Sequence, residues 1–399
     1  MGIENGPVQL PKGEIISRRW RILKKLGEGG CGSVYKVENI HTKQLAALKA
    51  ESNFVSGGSV LKLEVQILQR LINRPYVAQL IHSGKREAYC YVVMTLLGES
   101  LRHITKRLGK IFSVSSQVRI GINVLFGLKQ IHDIGFIHRD IKPANMAIGK
   151  FGTPEYRFIH ILDFGLAREF VVLSPDGKLK MRRPRAKALF RGTTRYCSIG
   201  THEKSEQGRM DDLWCLLYML AELRGPLPWT NASDKKQVYE IKRRTEIDVV
   251  LENCPVQLIK FAEHLSTLNY YMRPNYVLLY ELLSDVMKAG RFSTLNYYMR
   301  PNYVLLYELL SDVMKAGRFR YSDPYDWEDI RKCDESKETK SDVKKATWSM
   351  ALSDGNKPSQ SMSASAFPTD RKVEDMIYQL IDENNPFPVE FFARDALGF

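Results

Sequence analysis

The sequence predicts an α+β fold in which a small strand-rich part precedes a larger helical one. Residues 20 to 49 alternate apolar and polar side chains around the turn "GEGGCG", the pattern of half-buried strands joined by a tight turn. From about residue 59 the apolar period lengthens to that of a helix, as in "SVLKLEVQILQRL", where Val60, Leu63, Ile67 and Leu71 fall on one face. With 44% hydrophobic residues in 399, the chain can bury a sizeable core.

Taken in order, residues 1 to 16 read as an N-terminal extension. Its start, "MGIENG", resembles a lipid-acceptor site but has Gly6 where Ser or Thr is needed. The stretch "YCYVVMTLLGESL" at 89 to 101 reads as a strand, a connector and a helix start. Residues 266 to 292 recur without one change at 293 to 319. Two identical copies do not make a solenoid, which needs at least three units, so a recent exon duplication or a gene-model error is the reading. Each copy carries one predicted helix, opened by Asn275 or Asn302 and closed by Gly290 or Gly317. Residues 329 to 399 read as a mostly disordered tail, with a short helix at 371 to 384 that docks on its own domain or on a partner.

The longest apolar stretch, "LWCLLYMLAEL" at 213 to 223, is too short for a membrane span. Six cysteines form no CxxC pair, so reduced thiols and a cytoplasmic site are expected, with nuclear entry left open. The net charge of +14 favours acidic partners but does not choose among them.

Four short motifs carry chemistry. "LGEGGCGSV" supplies Gly27, Gly29 and Gly32, which let backbone amides approach phosphate oxygens. A dinucleotide site would want a helix straight after such a loop, whereas "SVYKVENI" continues as a strand, and no Walker A motif is present. "AALK" ends in Lys49 between apolar neighbours, and Glu64 follows on the predicted helix; an ion pair between them would aim the ammonium at nucleotide phosphates. In "GFIHRDIKPANMAIG", Asp140 would accept or orient a hydroxyl proton, Lys142 would offset phosphoryl charge and Asn145 would hold a metal ion. "LDFGLAR" adds Asp163, a second hard oxygen ligand suited to Mg²⁺.

A Gly loop, strand Lys, helix Glu, HRDxKxxN and DFG in this order form the protein-kinase signature. The resemblance implies a bilobal protein-kinase fold, with a small β-rich N-lobe to about residue 94 and a larger helical C-lobe from about 98 to 328, the domain as a whole spanning 17 to 328. ATP and Mg²⁺ are the implied cofactors, and serine/threonine transfer to protein substrates is implied by Lys142. The implied nucleotide pocket is Val34, Ala47, Met94 as gatekeeper, Ala147 as floor and Leu162, with Thr95 to Leu97 as hinge. Thr193 in "RGTTRY" matches the threonine that contacts the catalytic Asp and Lys, and Asp212 in "DLW" the Asp that anchors the catalytic loop.

Most kinases carry Ala-Pro-Glu beyond the activation segment, where this chain has "CSIG" at 197 to 200. That departure resembles the casein kinase I superfamily. "ALKAES", "YVVM", "RRPRA", "FRGTTRY", "DDLW", "LPW" and "SDPYDWE" look most like its tau-tubulin kinase branch, with Gly200 and Cys31 marking divergence. The resemblance implies a monomer acting on acidic or phosphorylated, in that branch cytoskeletal, proteins. The basic run between 178 and 195 suggests an anion pocket made by Arg191, Arg195 and Lys235 or Lys236. The rival readings are a catalytically silent pseudokinase scaffold and a basic nucleic-acid binder; none of Lys49, Asp140 and Asp163 is lost, and no nucleic-acid motif accompanies the charge.

Overall fold

The computed structural model describes residues 7–29, 32–54, 60–109, 111–175, 177–255, 257–272, 303–320, 323–325 and 389–397. A six-stranded antiparallel sheet opens the chain: β1 (Ile15–Ile16), β2 (Trp20–Gly29), β3 (Gly32–Asn39), β4 (Leu45–Ser52), β5 (Leu80–Lys85) and β6 (Tyr89–Thr95), in spatial order β1-β2-β3-β4-β6-β5. Helix α1 (Leu61–Arg70) lies between β4 and β5 in sequence. Strand alternation gives the sheet two different faces. Trp20, Ile22, Tyr35, Val37, Ala46, Leu48, Tyr91 and Val93 form a core of their own on one face, while Val92 and Met94 join the core of the larger lobe on the other.

The segment before residue 17 also packs on this sheet. Leu10 is buried with this small core, its amide donates to the Tyr35 hydroxyl at 3.1 Å, and that hydroxyl donates to the Val8 carbonyl at 2.6 Å. On α1 the buried positions are Leu61, Glu64, Ile67 and Leu68, followed by Leu71. The expected face through Val60 and Leu63 is therefore rotated, because Glu64 faces inward and the pattern counted only apolar residues.

The larger lobe is built around α3 (Val114–Asp133), whose residues from Val118 to His132 are almost all buried. Around it stand α2 (Leu101–Leu108), α4 (Ile199–His202), α5 (Arg209–Glu222), α6 (Lys235–Arg244), α7 (Ile247–Val250), α8 (Gln257–Ser266) and α9 (Tyr303–Ala316). Six short strands form three antiparallel pairs: β7 (Phe136–Ile137) with β10 (Arg168–Glu169), β8 (Met146–Ile148) with β9 (Ile159–Ile161), and β11 (Val171–Leu173) with β12 (Leu179–Met181). A Cβ at Gly121 would sit 3.1 Å from Leu220 and 3.3 Å from Leu310, so this glycine lets α3, α5 and α9 approach closely. Buried Arg119 donates to the carbonyls of Asp323 and Pro324 and lies over the Tyr325 ring, pinning the start of "SDPYDWE" to α3.

Helix α9 belongs to the second copy of the repeat, and its Leu309, Leu310, Val313 and Met314 are buried in the core. Its apolar face is thus covered. It ends through Arg318, which takes the left-handed conformation (φ 55°), rather than through Gly317 as expected. The corresponding helix of the first copy, Asn302 and the tail helix expected at 371 to 384 lie outside the described residues. A tail element that the sequence reading missed is the helix Val389–Ala393. Phe391 and Phe392 are fully buried there, packed on Phe126 of α3 and, for Phe392, stacked on Tyr307 of α9 at 4.5 Å. Phe392→Ala is expected to lower stability by about 3–5 kcal/mol in urea unfolding; a shift below about 0.5 kcal/mol would show that this contact does not hold the tail.

Candidate active site

The sheet register brings the expected nucleotide-side residues together. Val34 pairs with Lys49, which pairs with Val92, and Ala47 pairs with Met94. Residues directly opposed across a ladder share a face, so Val34, Ala47, Lys49 and Met94 point to the same side. At the turn, Gly29 faces Gly32. Gly32 has φ 104°, and a Cβ there would lie 2.2 Å from the Ala50 carbonyl oxygen, so backbone packing alone demands glycine. At Gly27 and Gly29 a Cβ would meet nothing within 4 Å; packing does not explain those two glycines.

The segment after β6 is seated on β8. Thr95 exchanges hydrogen bonds with Gln79, the Gly98 amide donates to Ile148 at 2.9 Å, and the Ile148 amide donates to Glu99 at 3.1 Å. Thr95 and Leu97 are half-buried, as is Leu162, while Ala147 is buried in β8.

Lys49 carries the first charge cluster. Its Nζ lies 2.6 Å from Glu64 Oε2 and 2.8 Å from Asp163 Oδ1. Burial opposes the ammonium charge, but the two carboxylates outweigh it and hold its pKa above the ordinary lysine value. Burial would likewise raise the Asp163 carboxyl, and Lys49 outweighs it and lowers it. Glu51, which the sequence reading passed over, fixes this geometry from behind. Its carboxylate accepts from the Leu61 amide at 3.1 Å and the Val60 amide at 3.4 Å, tying the start of α1 to β4 and so aiming Glu64 at Lys49. The signal was present: Glu51 follows Lys49 by two residues on a strand and so lies on its face.

The second cluster surrounds Asp140. Thr193 Oγ1 donates to Asp140 Oδ1 at 2.6 Å, and Lys142 Nζ lies 2.6 Å from Oδ2 and 3.1 Å from Thr193 Oγ1. Asn145 Nδ2 donates to the Asp140 carbonyl at 2.9 Å and to Oδ2 at 3.2 Å. The loop that carries Asp140 is held by fully buried Asp212 on α5, which accepts from the amides of His138 and Arg139 at 2.7 Å each and contacts His132 Nε2 at 3.0 Å. Burial would raise the Asp212 carboxyl; the His132 and backbone contacts outweigh it and keep it low. Those bonds stabilise Arg139 in its left-handed conformation, φ 67°. His138 Nδ1 accepts from the Asp140 amide at 3.2 Å and its Nε2 lies 3.0 Å from the Leu162 carbonyl, contacts that together require the proton on Nε2. Its ring also meets Phe164 edge-on at 5.5 Å, linking the two clusters.

Beyond the loop lies a cationic knot that the sequence pattern did not reveal. Arg139 Nε donates to the Leu166 carbonyl at 2.6 Å, and Arg168 and Arg185 both pair with Glu206, at 3.0 and 2.5 Å. Burial, with Arg168 and Arg185 nearby, pushes the Arg139 guanidinium down to about 10. Burial would raise the Glu206 carboxyl, but the Arg185 hydrogen bonds outweigh it and lower it.

The expected anion pocket is only partly assembled. Arg195 and Lys235 line one cavity of about 490 Å³, together with Thr193, Trp229, Thr230 and Asp234. Arg191 and Lys236 are exposed and are not among its lining residues. Arg195 is paired with Glu222 and donates to Thr230 Oγ1 at 2.9 Å, and Lys235 Nζ sits over the Phe190 ring. Lys235 and Lys236 are neighbours on α6, about 100° apart around the helix, so one can line the cavity without the other. The counter-charges of the basic run, Glu169, Glu206 and Glu222, lie outside it in sequence.

The family model described as protein kinase domain matches residues 20–287. The chain belongs to the protein kinase family. A Caenorhabditis elegans protein that carries a provisional name as a serine/threonine-protein kinase is 47% identical over 328 residues, covering 82% of this chain and 87% of that one. An inactive tau-tubulin kinase of the same organism is 36% identical over 221 residues, 54% of this chain and 76% of that one. Casein kinase I homolog 2 of Saccharomyces cerevisiae is 32% identical over 284 residues, 68% of this chain and 51% of that one. The kinase therefore falls among serine/threonine enzymes related to casein kinase I and the tau-tubulin kinases.

In this kinase Glu206 supplies negative charge to the arginines beside the catalytic loop without any modification of the chain. Glu206→Gln is expected to lower kcat about tenfold, the effect of losing one charge-assisted hydrogen bond's worth of order in the segment from 168 to 185. Because the Glu206 carboxyl is held low, its stabilising contribution is present at neutral pH and is lost only as pH falls through that lowered value. Unchanged steady-state turnover of unphosphorylated Glu206→Gln would remove Glu206 from the account.

Proposed function

We propose that the chain is an active serine/threonine kinase that moves the γ-phosphoryl group of ATP to hydroxyls of acidic or already phosphorylated proteins. The observation that carries the reading is the simultaneous pairing of Lys49 with Glu64 and Asp163 and of Asp140 with Lys142, Asn145 and Thr193. A relative named inactive raises the silent-scaffold reading. Each ionic group that transfer needs is present here and paired with its partner, which argues against that reading.

Val34, Ala47, Met94, Ala147 and Leu162 supply an apolar slot for the base, and the main chain of 95 to 97 supplies polar groups for its edge. Gly27 and Gly29 leave room for phosphates, and Lys49 offers them a fixed cation. The residues present fit a divalent ion. The Asn145 amide nitrogen is committed to Asp140, which leaves its Oδ1 as a hard neutral oxygen, and the Leu162 amide, one residue before Asp163, donates to the Asn145 carbonyl at 2.8 Å. Asn145 and Asp163 would hold Mg²⁺, which would offset negative charge on the phosphates. Asp140 orients the substrate hydroxyl and takes its proton as the oxygen bonds to the γ-phosphorus and the bond to ADP breaks; Lys142 balances charge on the group in transit, and Thr193 holds both side chains in line.

The preference for acidic or phosphorylated substrates rests on Arg195 and Lys235 in one cavity beside Thr193. The countering Glu222 and Asp234 make that site a moderate anion reader. A monomeric, cytoplasmic enzyme with a cytoskeletal substrate extends the proposal on resemblance to the tau-tubulin kinases alone. No described helix is long and apolar enough to cross a membrane.

Transfer of labelled phosphate from ATP with Mg²⁺ to casein tests the reading. The full chain is expected to label casein, and Asp140→Asn to lose at least about a hundredfold in rate, the usual contribution of a positioned base. A chain lacking 293 to 319, identical to one lacking 266 to 292, is expected to work as well, since one copy remains to form α9. Nucleotide binding without transfer in every version would establish the scaffold reading instead. Peptides with and without a phosphoserine near the acceptor test the substrate class. Equal rates on both, unaffected by Arg195→Ala, would remove the anion preference.

A further inference from the structure

Lys242 on α6 is a lysine where a lysine is costly. It is only 3% exposed, and among the described residues no carboxylate pairs with it. Its Nζ donates to the carbonyl of Cys197 at 2.6 Å and to that of Thr194 at 3.0 Å. The rings of Tyr218 and Trp229 flank the ammonium, each with its centroid 4.9 Å away. The titratable neighbours are Cys197 on the segment, Cys215 and Tyr218 on α5, and His202 on α4. None of them carries negative charge at neutral pH. Burial pushes the lysine down to about 8, so it remains mostly protonated at pH 7. An apolar residue would fill the same space without that cost.

What the cation obtains is a grip on main chain. Residues 194 to 197 turn back on themselves, with the amides of Tyr196 and Cys197 both donating to the Thr193 carbonyl at 3.0 Å, so their own carbonyls point away and need donors. Three donors arrive from below: two bonds from Lys242, and Trp229 Nε1 to the Arg195 carbonyl at 2.8 Å. Only a long side chain ending in several N–H groups can gather two carbonyls three residues apart. The segment so held begins at Thr193, which touches Asp140 and Lys142, and it lines the cavity beside the reaction site. It runs directly into "CSIG" at 197 to 200, where this chain departs from the Ala-Pro-Glu of most kinases.

We propose that Lys242 is a positioning residue for the protein substrate: by tying the carbonyls of Thr194 and Cys197 to α6 it keeps the 193–197 strip in the shape that an incoming peptide docks against. This role rests on the kinase reading above, yet it concerns the peptide side alone. Lys242 touches neither nucleotide-side residues nor Asp140, so its loss should separate the two substrates. Lys242→Met keeps the apolar fill and removes the donors. It is expected to raise KM for casein about tenfold, equivalent to the loss of one good hydrogen bond to a charged group, with KM for ATP within about twofold of the wild type. Lys242→Arg, which retains a cation with donors, is expected to recover most of the casein affinity.

A merely structural lysine would give a different result. Lys242→Met would then lower the active fraction, reducing kcat while leaving both KM values in place, and that outcome overturns the proposal. Hydrogen–deuterium exchange on the full-length chain supplies a readout that needs no turnover. The proposal expects faster exchange at 193 to 198 in Lys242→Met, with α1 and the 136 to 142 loop unchanged. Uniformly faster exchange, or none, contradicts it. If the wild type transfers no phosphate at all, the proposed function fails, and the exchange comparison alone still decides the role of Lys242.

Discussion

The geometry of the reaction site depends on one buried carboxylate. Asp212 sits in the first turn of α5, inside the larger core, and accepts from two successive amides of the loop that carries Asp140. A left-handed Arg139 is uphill for a non-glycine residue, and those two charge-assisted bonds offset the cost. Everything aimed by the loop follows from it. His138 reaches across to Leu162 and Phe164, the Asp140 carboxylate is presented to Lys142, Asn145 and Thr193, and the backbone leaves Arg139 facing the start of the activation segment.

A second theme is how a chain with a net charge of +14 keeps its cations from repelling one another. Lys49 is neutralised by Glu64 and Asp163, the Arg168 and Arg185 pair by Glu206, and Arg195 by Glu222. Buried or half-buried carboxylates placed far away in sequence thus organise the basic run locally, and Lys242 stands apart in being held by carbonyls and aromatic faces instead. The surplus positive charge is left to the exposed lysines and arginines, where salt and water screen it.

Much of this site is legible in the sequence because its groups must lie at fixed spacings along short segments. Asp140, Lys142 and Asn145 share one loop, and the glycines share one turn; Lys49 and Glu64 are separated by one strand end and one helix start. The family signature also singled out Asp163, Thr193 and Asp212. Residues that act across long sequence distances left no such trace. Glu206 and Lys242 look like ordinary surface charges in a string of letters, and their roles appear only when α4, α5 and α6 pack against the activation segment. The counter-charge of the anion pocket is hidden for the same reason: a count of nearby cations cannot see that Glu222 pairs with Arg195. The buried Phe391 and Phe392 were missed because two aromatic residues after a polar linker carry no period to read.

The most direct measurement is backbone amide exchange by NMR at His138 and Arg139, with phosphoryl transfer measured in parallel, on the wild type and Asp212→Asn. If Asp212 holds the catalytic loop, both amides are strongly protected in the wild type. In the variant they lose that protection, transfer falls steeply, and ATP still binds. Protected amides and undiminished transfer in Asp212→Asn would contradict the account at its base.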